Sequence, residues 1–525
     1  MHYTSKQEPV FDLVKSMSKA EKRNFKLYAT RQSGNQDAKF IALFDVIDSL
    51  DEYDETKILK KCPVTKAQLP NMKAHLYKQL LISIRLLDVN HNTGMQVREQ
   101  IDFARILYDK GHYRQSLRML DKAKEIAEAN EHKTIGLQII EFRKMIESLQ
   151  TTRARMGNVE AITKEADALS EEISGINELS NISILLYGLY LKLGYVRSEK
   201  DLKLVINYFG PRLEKYAKKK LSFKEKVYYY QSMAMYRYIQ HDFLDCNRYT
   251  LRWMNVFDVN PHMKKVMYDN YLTGYSRLLD GLFFLNNYRR YMNAFRKFER
   301  EHESVSGVSE NAEMLYGMVY WFSRLNKHFL EGSFKEGLGL VKDVEKYIRK
   351  YENYIDVHHT MLFYYKIGCM YFGDGQFKKS IEYLQKVIST RDSQVRRDLQ
   401  CYARILNLIA SYEAGIDYNL DYQIKAVYSF LVKMNDMHEV QREMIAFIKK
   451  LNSIYVADFK AELTLLYERL LPYTSHPYER RTFFYLDIIS WLESKIKGGL
   501  VADVIQARFR ESQTKESRRN LSVNP

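Results

Sequence analysis

Proline is nearly excluded from the middle of this chain, and that exclusion restricts the fold more than any other feature. The 525 residues include only 8 prolines and 22 glycines, and no proline lies between Pro261 and Pro472. A helix interior excludes proline because the residue lacks an amide hydrogen and collides with the preceding turn. Apolar residues recur at three- and four-residue spacing, as they do from Ile101 to Tyr108. The chain is therefore predicted to be all-α, with helices joined by tight turns.

A pattern of four residues follows several of the expected turns. Counted from a glycine, it has an aromatic residue at +2, a small residue at +5, an apolar residue at +9 and an apolar or small residue at +12. The pattern follows three glycines: Gly111, Gly332 and Gly375. After the last of these, its members are Phe377, Ser380, Leu384 and Val387. Because three sites agree at all four positions, we interpret the pattern as an internal repeat.

Each position of the repeat has a physical role in a helical hairpin. The glycine ends the first helix in the left-handed conformation, and the small residue at +5 lets the second helix approach the first closely. Weaker copies follow four further positions: Gly157, His241, Asn286 and Gly415. The turns lie roughly 40 to 46 residues apart, and one more turn is expected near residues 196–198. The sequence therefore predicts about eight antiparallel helical hairpins.

This repeat resembles that of the tetratricopeptide-repeat family, most closely over residues 361–394. Four residues of the segment match the first-helix pattern of the family: Tyr364, Ile367, Gly368 and Tyr371. The family's proline at the end of the second helix is absent, and the period exceeds the usual 34 residues. The resemblance implies an α-solenoid over residues 97–435, whose concave side is formed by the first helix of each hairpin.

Helical segments on either side of the array are expected to close it, because the end hairpins of a repeat array would otherwise expose an apolar face. Residues 1–90 are expected to form the N-terminal cap, and Ser18 with Glu21 has the spacing of a capping box. Residues 436–512 are expected to form a C-terminal cap broken at Pro472 and at the Gly498–Gly499 pair. Residues 513–525 are polar, and we expect them to be disordered.

The tetratricopeptide resemblance implies that ligands bind on the exposed side of each first helix. In this chain the corresponding residues are Arg98, Arg105, Tyr108, Asp109, Phe322, Asn326, Phe329, Tyr365, Cys369 and Phe372. Arg98 and Arg105 are seven residues apart on one helix face, which suits an acidic partner segment. The alternative for the aromatic members is that they contact the neighbouring repeat.

The basic composition supports a second hypothesis. The formal net charge is +16, and a basic protein attracts acidic proteins and nucleic acid. A basic patch with interspersed tyrosines comprises Lys215, Lys218, Lys219, Lys220, Lys224 and Lys226. In the N-terminal segment, the turn at Pro63 and the basic side chains around it would also fit a helix-turn-helix: Lys66, Lys73, His75 and Lys78. The alternative function is therefore a nucleic-acid-binding regulator, although helical core packing also explains the tyrosines.

The sequence has none of the motifs that mark nucleotide-binding or catalytic sites, such as a P-loop, HExxH or GxSxG. The four cysteines are widely spaced, which indicates free thiols in a reducing compartment: Cys62, Cys246, Cys369 and Cys401. No apolar stretch reaches 18 residues, so we expect a cytoplasmic protein without a membrane span. We therefore expect no enzymatic activity, no metal and no cofactor. The favoured hypothesis is an intracellular helical-repeat scaffold that binds a partner protein or peptide on its concave face.

Overall fold

The computed structural model describes residues 8–32, 38–90, 92–149, 156–303, 309–390, 396–416, 420–433, 439–450, 458–480, 482–483 and 487–521. These residues form α-helices, one short 3-10 helix and turns, and none of them lies in a β-strand. The predicted all-α fold class is confirmed over this part of the chain. The chain divides into two units, Met1–Ile173 and Ser174–Pro525.

The first unit contains two apolar cores, one built by residues 10–80 and the other by residues 97–146. Its described helices are α1 (Pro9–Ser16), α2 (Lys19–Gln32), α3 (Ala38–Ser49), α4 (Glu55–Lys61), α5 (Leu69–Asp88), α6 (Thr93–Asp109), α7 (Tyr113–Ala129), α8 (Lys133–Leu149) and the first part of α9 (Met156–Leu193). Helix α7 packs against both α6 and α8.

The second unit begins within α9, and helices that follow each other in sequence pack together through most of it. Its further described helices are α10 (Glu199–Ala217), α11 (Phe223–Ile239), α12 (Phe243–Val259), α13 (Met263–Val266), α14 (Tyr268–Phe284), α15 (Tyr288–Glu303), α16 (Glu310–Glu331), α17 (Phe334–Leu338), α18 (Val341–Lys350), α19 (Val357–Gly373), α20 (Phe377–Ile388), α21 (Arg397–Glu413), α22 (Leu420–Lys433), α23 (Glu439–Lys450), α24 (Phe459–Leu470), the 3-10 helix Leu471–Ser475, α25 (Ile488–Lys497) and α26 (Val501–Leu521).

Residues in the left-handed conformation follow the helices at six of the expected turns. Their φ angles lie between 51° and 77°, and they are Gly111, His241, Asn286, Gly332, Gly375 and Gly415. The turn expected at Gly157 is wrong, because Gly157 lies in the first turn of α9. The additional turn expected near residues 196–198 is found next to them, where Gly194 has a φ of 72° after the end of α9.

The small residue at +5 allows the close approach expected of it. The Oγ of Ser116 donates to the carbonyl oxygen of Ala104 at 2.7 Å, and the Oγ of Ser380 donates to that of Gly368 at 2.8 Å. Both serines are fully buried, and each bond connects residues twelve positions apart. The same geometry in two hairpins shows that this position joins the two helices of a hairpin.

The N-terminal helices follow the predicted pattern. The capping box before α2 is confirmed, since the amide of Ser18 donates to Glu21 Oε2 at 2.6 Å and the amide of Glu21 donates to Ser18 Oγ at 3.2 Å. Within the same core, the rings of Phe25 and Phe44 lie 4.8 Å apart. Helices α3, α4 and α5 complete this segment.

Contacts between distant parts of the second unit distinguish it from an open repeat array, in which each hairpin touches only its neighbours. The amide of Arg396 donates to the carbonyl oxygen of Leu191 at 3.2 Å. Arg480 Nη2 donates to the carbonyl oxygen of His241 at 2.6 Å, and Gln506 Nε2 donates to that of Gly332 at 3.0 Å. The second unit therefore has long-range contacts in addition to those between helices that follow each other in sequence.

The division between the units falls inside α9, and hence within the expected 97–435 array rather than at either of its ends. The expected breaks in the 436–512 segment are present, since the 3-10 helix contains Pro472 and Gly498 ends α25 in the left-handed conformation. The segment 513–525, expected to be disordered, is helical as far as Leu521.

Two turn glycines provide a matched test of how α26 is held. A Cβ at Gly332 would lie 2.8 Å from the amide nitrogen of Gln506 and 2.9 Å from the carbonyl oxygen of Ala502, whereas a Cβ at Gly415 would meet nothing within 4 Å. Gly415→Ala should cost about 1 kcal/mol because of its positive φ alone. Gly332→Ala should cost about 2–4 kcal/mol, because the added methyl group also displaces α26.

Urea unfolding followed by circular dichroism would measure both changes, and limited proteolysis would report cleavage within α26. Equal losses of stability for the two variants would contradict a tight contact between Gly332 and α26.

Candidate functional site

A cavity of about 440 Å³ lies inside the second unit. Its wall is formed by the end of α9 together with residues of α11, α14, α16, α19, α21 and α26. Much of the lining is aromatic: Tyr187, Tyr190, Tyr195, Tyr238, Phe283, Phe284, Tyr288, Phe322, Phe329, Phe334, Tyr365, Phe372, Phe483 and Phe509. Aromatic walls with a few polar groups are typical of ligand pockets.

Two charged side chains of α14 enter the cavity without forming a hydrogen bond or an ion pair to the described chain. The guanidinium group of Arg277 stacks on Tyr238, with its central carbon 4.0 Å from the ring centroid. Asp280 follows one helical turn later. Burial raises the pKa of the Asp280 carboxyl group, while the nearby charges of Arg277 and Lys366 oppose the shift. Both side chains are half-buried, and neither has a hydrogen bond or an ion pair in the described chain, although each lies close enough for its charge to act on the other. Removing such charges from water is costly.

Two glycines of α14 lie close to Arg277 and Asp280 on the helix surface. A Cβ at Gly274 would lie 2.5 Å from Met254 Sδ, and a Cβ at Gly281 would lie 3.1 Å from Asn247 Oδ1. Both neighbours belong to α12. Because neither glycine has a side chain, α14 packs closely on α12, and the adjoining face of α14 borders the cavity.

Lys366 of α19 is the second cation of the cavity without an acidic partner within ion-pair distance in the described chain. Its Nζ donates to Asn326 Oδ1 at 2.6 Å. The same ammonium group lies 5.0 Å from the ring centroid of Phe283 and 5.2 Å from that of Phe329. Burial lowers the pKa of Lys366, against the effect of the nearby Asp280 charge. Aromatic faces and an amide therefore replace part of the water around this cation.

Arg396 also lines the cavity, but its charge is compensated. Its Nε donates to Asp398 Oδ1 and its Nη2 to Asp398 Oδ2, both at 2.9 Å. Its Nη1 donates to the hydroxyl oxygen of Tyr190 at 3.0 Å. This fork-to-carboxylate geometry is the strongest type of charged pairing in a protein interior. Arg508 of the lining also has partners, Ser490 and Glu493. Arg277 is therefore the one arginine of the lining without a hydrogen bond or an ion pair in the described chain.

The histidine pair of α19 contributes one buried and one half-buried ring to the wall. His358 Nδ1 lies 3.5 Å from Arg396 Nη1. Burial, together with the charges of Arg396, His359 and Arg277, lowers the pKa of His358 well below 6.5. His359 Nδ1 instead lies 2.8 Å from both carboxylate oxygens of Asp356. His358 is therefore neutral at pH 7 in the folded protein.

The structure brings together all the predicted ligand-binding residues of the second unit. The cavity is lined by Phe322, Asn326, Phe329, Tyr365, Cys369 and Phe372. Tyr365 and Phe372 are also buried, and the ring of Phe322 stacks on Phe363 at 3.9 Å. These aromatic residues therefore contact neighbouring helices, as the alternative expected, and they also face the cavity.

The predicted ligand-binding residues of the first unit lie on α6. Arg98, Arg105 and Asp109 are exposed. The guanidinium carbon of Arg105 lies 3.9 Å from the ring centroid of Phe142, and Tyr108 packs on the same ring at 5.7 Å. For Tyr108, contact with a neighbouring helix is therefore observed.

The basic patch lies at the turn between α10 and α11. Five of its lysines are exposed and Lys224 is half-buried: Lys215, Lys218, Lys219, Lys220 and Lys226. Lys215 pairs with Glu178 at 2.6 Å. In the N-terminal segment, Lys73 contacts Glu8 at 2.8 Å and the hydroxyl oxygen of Tyr53 at 3.0 Å. At Lys73, therefore, the cation already has partners within its own unit.

Sequence reasoning missed Arg277, Asp280 and Lys366, although each has a recognisable signal. Lys366 is the one lysine or arginine in the apolar helix α19, and Arg277 and Asp280 interrupt the apolar end of α14. Charges at such positions are costly to bury. A single charged residue within an apolar helix thus indicates a candidate site residue, and the repeat pattern alone does not identify it.

The described residues contain neither a membrane-spanning helix nor a metal-binding cluster. No helix among them is both long and apolar enough to cross a membrane, and no group of three or more His, Cys, Asp or Glu side chains among them is placed to hold a metal ion. No protein-family model and no curated protein matches the chain. A functional proposal therefore depends on the geometry of the cavity.

Arg277 and Arg396 should respond oppositely to the same substitution. Arg277→Met should raise the free energy of unfolding by about 1 kcal/mol, because a buried charge without an acidic partner is replaced by an apolar side chain. Arg396→Met should lower it by about 3–5 kcal/mol, because Asp398 would keep a buried charge without its partner. Guanidinium unfolding monitored by circular dichroism would measure both. Destabilisation by Arg277→Met would show that Arg277 is structurally required.

The buried neutral His358 should make the protein less stable as the pH falls below 6.5. The unfolded chain takes up a proton at this residue near pH 6.5, whereas the folded protein does so only at lower pH, so acid favours unfolding. Each such proton contributes at most about 1.4 kcal/mol per pH unit. Unfolding measured at pH 7.5, 6.5 and 5.5 should show a smaller loss for His358→Gln than for the wild type. Equal slopes would contradict a neutral His358.

Proposed function

We propose that the second unit is a helical-repeat module, built from stacked hairpins as in a solenoid, that binds a short segment of a partner protein in its cavity without catalysing a reaction. The tetratricopeptide resemblance supports this proposal, since the six residues of the second unit that it implies for ligand binding line the cavity. The free cysteines of the described chain suit the cytoplasm.

The uncompensated charges of Arg277 and Asp280 are the observation on which the proposal depends. Both side chains are half-buried, and a charge withdrawn from water without a hydrogen bond or an ion pair destabilises the folded state. Such groups are retained where a ligand supplies the missing interactions. A bound segment with charged side chains would supply them, and the aromatic walls would pack around its apolar part.

The size of the cavity supports a short segment rather than a helix. Its volume of about 440 Å³ lies within the range of about 300–1,000 Å³ found for ligand pockets. A helix with its side chains is about 10–12 Å across and requires a long open groove. A chain end or an extended loop of a few residues fits better.

The thiol in the cavity supports binding over catalysis. Burial raises the pKa of Cys369 to about 12, although Tyr365 and the Lys366 charge oppose the shift. The thiolate is the nucleophilic form of cysteine, so this side chain stays protonated and unreactive at neutral pH.

Filling the cavity should abolish partner binding. Ser276 and Thr273 both lie on α14, but Ser276 lines the cavity and Thr273 is exposed. Proteins recovered with the full-length wild type from a native extract should also be recovered with Thr273→Trp. Their amounts should fall at least about tenfold with Ser276→Trp, a loss of about 1.4 kcal/mol or more in binding.

Mass spectrometry of the recovered material, with and without nuclease treatment, separates the two hypotheses. Equal recovery with both tryptophan variants would place the partner outside the cavity and contradict the proposal. Recovery that disappears on nuclease treatment would support the nucleic-acid alternative instead.

A further inference from the structure

The cavity contains opposite charges that do not pair with each other. Arg277 and Asp280 are three residues apart on α14, a spacing at which oppositely charged side chains of a helix usually approach each other. No ion pair or hydrogen bond joins them in the described chain. The guanidinium group of Arg277 stacks on Tyr238 at 4.0 Å, while its charge and that of Asp280 act on each other without direct contact. Each charge therefore remains available on the same wall of the cavity.

We infer that this wall binds a zwitterionic group, whose carboxylate contacts Arg277 and whose ammonium contacts Asp280, with an aromatic or large apolar body attached. This inference rests on the proposed function and names the chemistry that the bound segment must present. A carboxylate matches the planar donors of a guanidinium group. An ammonium group supplies donors for the acceptor oxygens of Asp280.

The surroundings of Arg277 and Asp280 favour a ligand that carries a positive and a negative charge over a ligand that carries only one of them. An acid alone would satisfy Arg277 but would face the Asp280 carboxylate nearby. An amine alone would satisfy Asp280 but would face both Arg277 and Lys366, whose charges act on Asp280. A zwitterion places its carboxylate at Arg277 and its ammonium group at Asp280. The attraction at each site then offsets the repulsion that an acid or an amine alone would meet.

The aromatic walls account for the apolar body. Phe283 and Phe284 follow Asp280 on α14, and Phe322 and Phe329 face the cavity from α16. Ring packing of this kind adds about 0.5–1.5 kcal/mol per pair beyond the burial of apolar area. Charges of both signs beside an aromatic ring occur in a free aromatic amino acid and in a peptide with neighbouring acidic, basic and aromatic side chains.

Three small compounds of the same shape test the charges separately. L-phenylalanine carries both charges, 3-phenylpropionate lacks the ammonium group, and 2-phenylethylamine lacks the carboxylate. Isothermal titration calorimetry on the full-length protein at pH 7 should show L-phenylalanine binding about tenfold or more tightly than either analogue. A hydrogen bond between charged groups contributes about 1.5–3 kcal/mol, and 1.4 kcal/mol corresponds to tenfold.

Two variants should each remove the interaction with one charged group of the ligand. Arg277→Gln should lower the affinity for L-phenylalanine about tenfold and leave that for 2-phenylethylamine unchanged or higher. Asp280→Asn should weaken L-phenylalanine and 2-phenylethylamine and leave 3-phenylpropionate unchanged or stronger. Arg252→Gln is the matched control, because Arg252 is exposed and lies 5.2 Å from the ring of Tyr249. A purely structural role would change the binding of all three compounds alike.

A blocked peptide, acetyl-Lys-Phe-Asp-amide, distinguishes the two sources of the zwitterion. Binding of this peptide with the same responses to the two variants supports both the inference and the proposed function. Binding of L-phenylalanine alone supports the zwitterion site but contradicts the proposed peptide function. The inference is overturned if neither ligand binds, or if L-phenylalanine binds no more tightly than its analogues. A partner recovered with the wild type and lost with Ser276→Trp would leave the proposed function standing in that case.

Discussion

The close approach of two helices within a hairpin determines where every other side chain of the second unit can lie. At Ser380 the contact is direct, since its buried hydroxyl group bonds to the carbonyl oxygen of Gly368 in the preceding helix. A residue larger than serine would force those helices apart, and a cavity lined by successive first helices would change its width. Gly274 and Gly281 act similarly between α12 and α14. Small residues thus position the charged and aromatic residues of the cavity.

Local features of the fold follow from the sequence because they depend on residues a few positions apart. The left-handed turns at Gly332 and Gly375 and the capping box at Ser18 belong to this class. The long-range contacts do not follow in the same way. Arg480 bonds to the backbone of His241, and Gln506 to that of Gly332, across more than 170 residues. No periodic pattern specifies such contacts, since each depends on how small rotations between hairpins accumulate along the array.

The same distinction applies to the residues of the candidate site: some follow from the sequence, and others are recognised only in the structure. Asn326, Phe329 and Phe372 are identified from the sequence because the repeat register assigns them to the inner side of their helices, and they line the cavity. Arg277 and Asp280 belong to α14, where the repeat is weak, so no register assigns them to a face. Their importance depends on what surrounds them, and the nearest ring, that of Tyr238, belongs to another hairpin. Only the assembled unit shows that they lack partners.

Arg396 and Arg277 show how one cavity serves both stability and binding. The Arg396–Asp398 pair joins the start of α21 to the end of α9 through Tyr190, so this arginine holds together elements far apart in sequence. Arg277 has no such role, because the ring of Tyr238 orients its guanidinium group without neutralising it. Orientation without neutralisation keeps the charge available while reducing the entropy lost on binding. Under the proposed function, the folding free energy lost at Arg277 is regained when the ligand binds, which is the behaviour expected of a recognition residue.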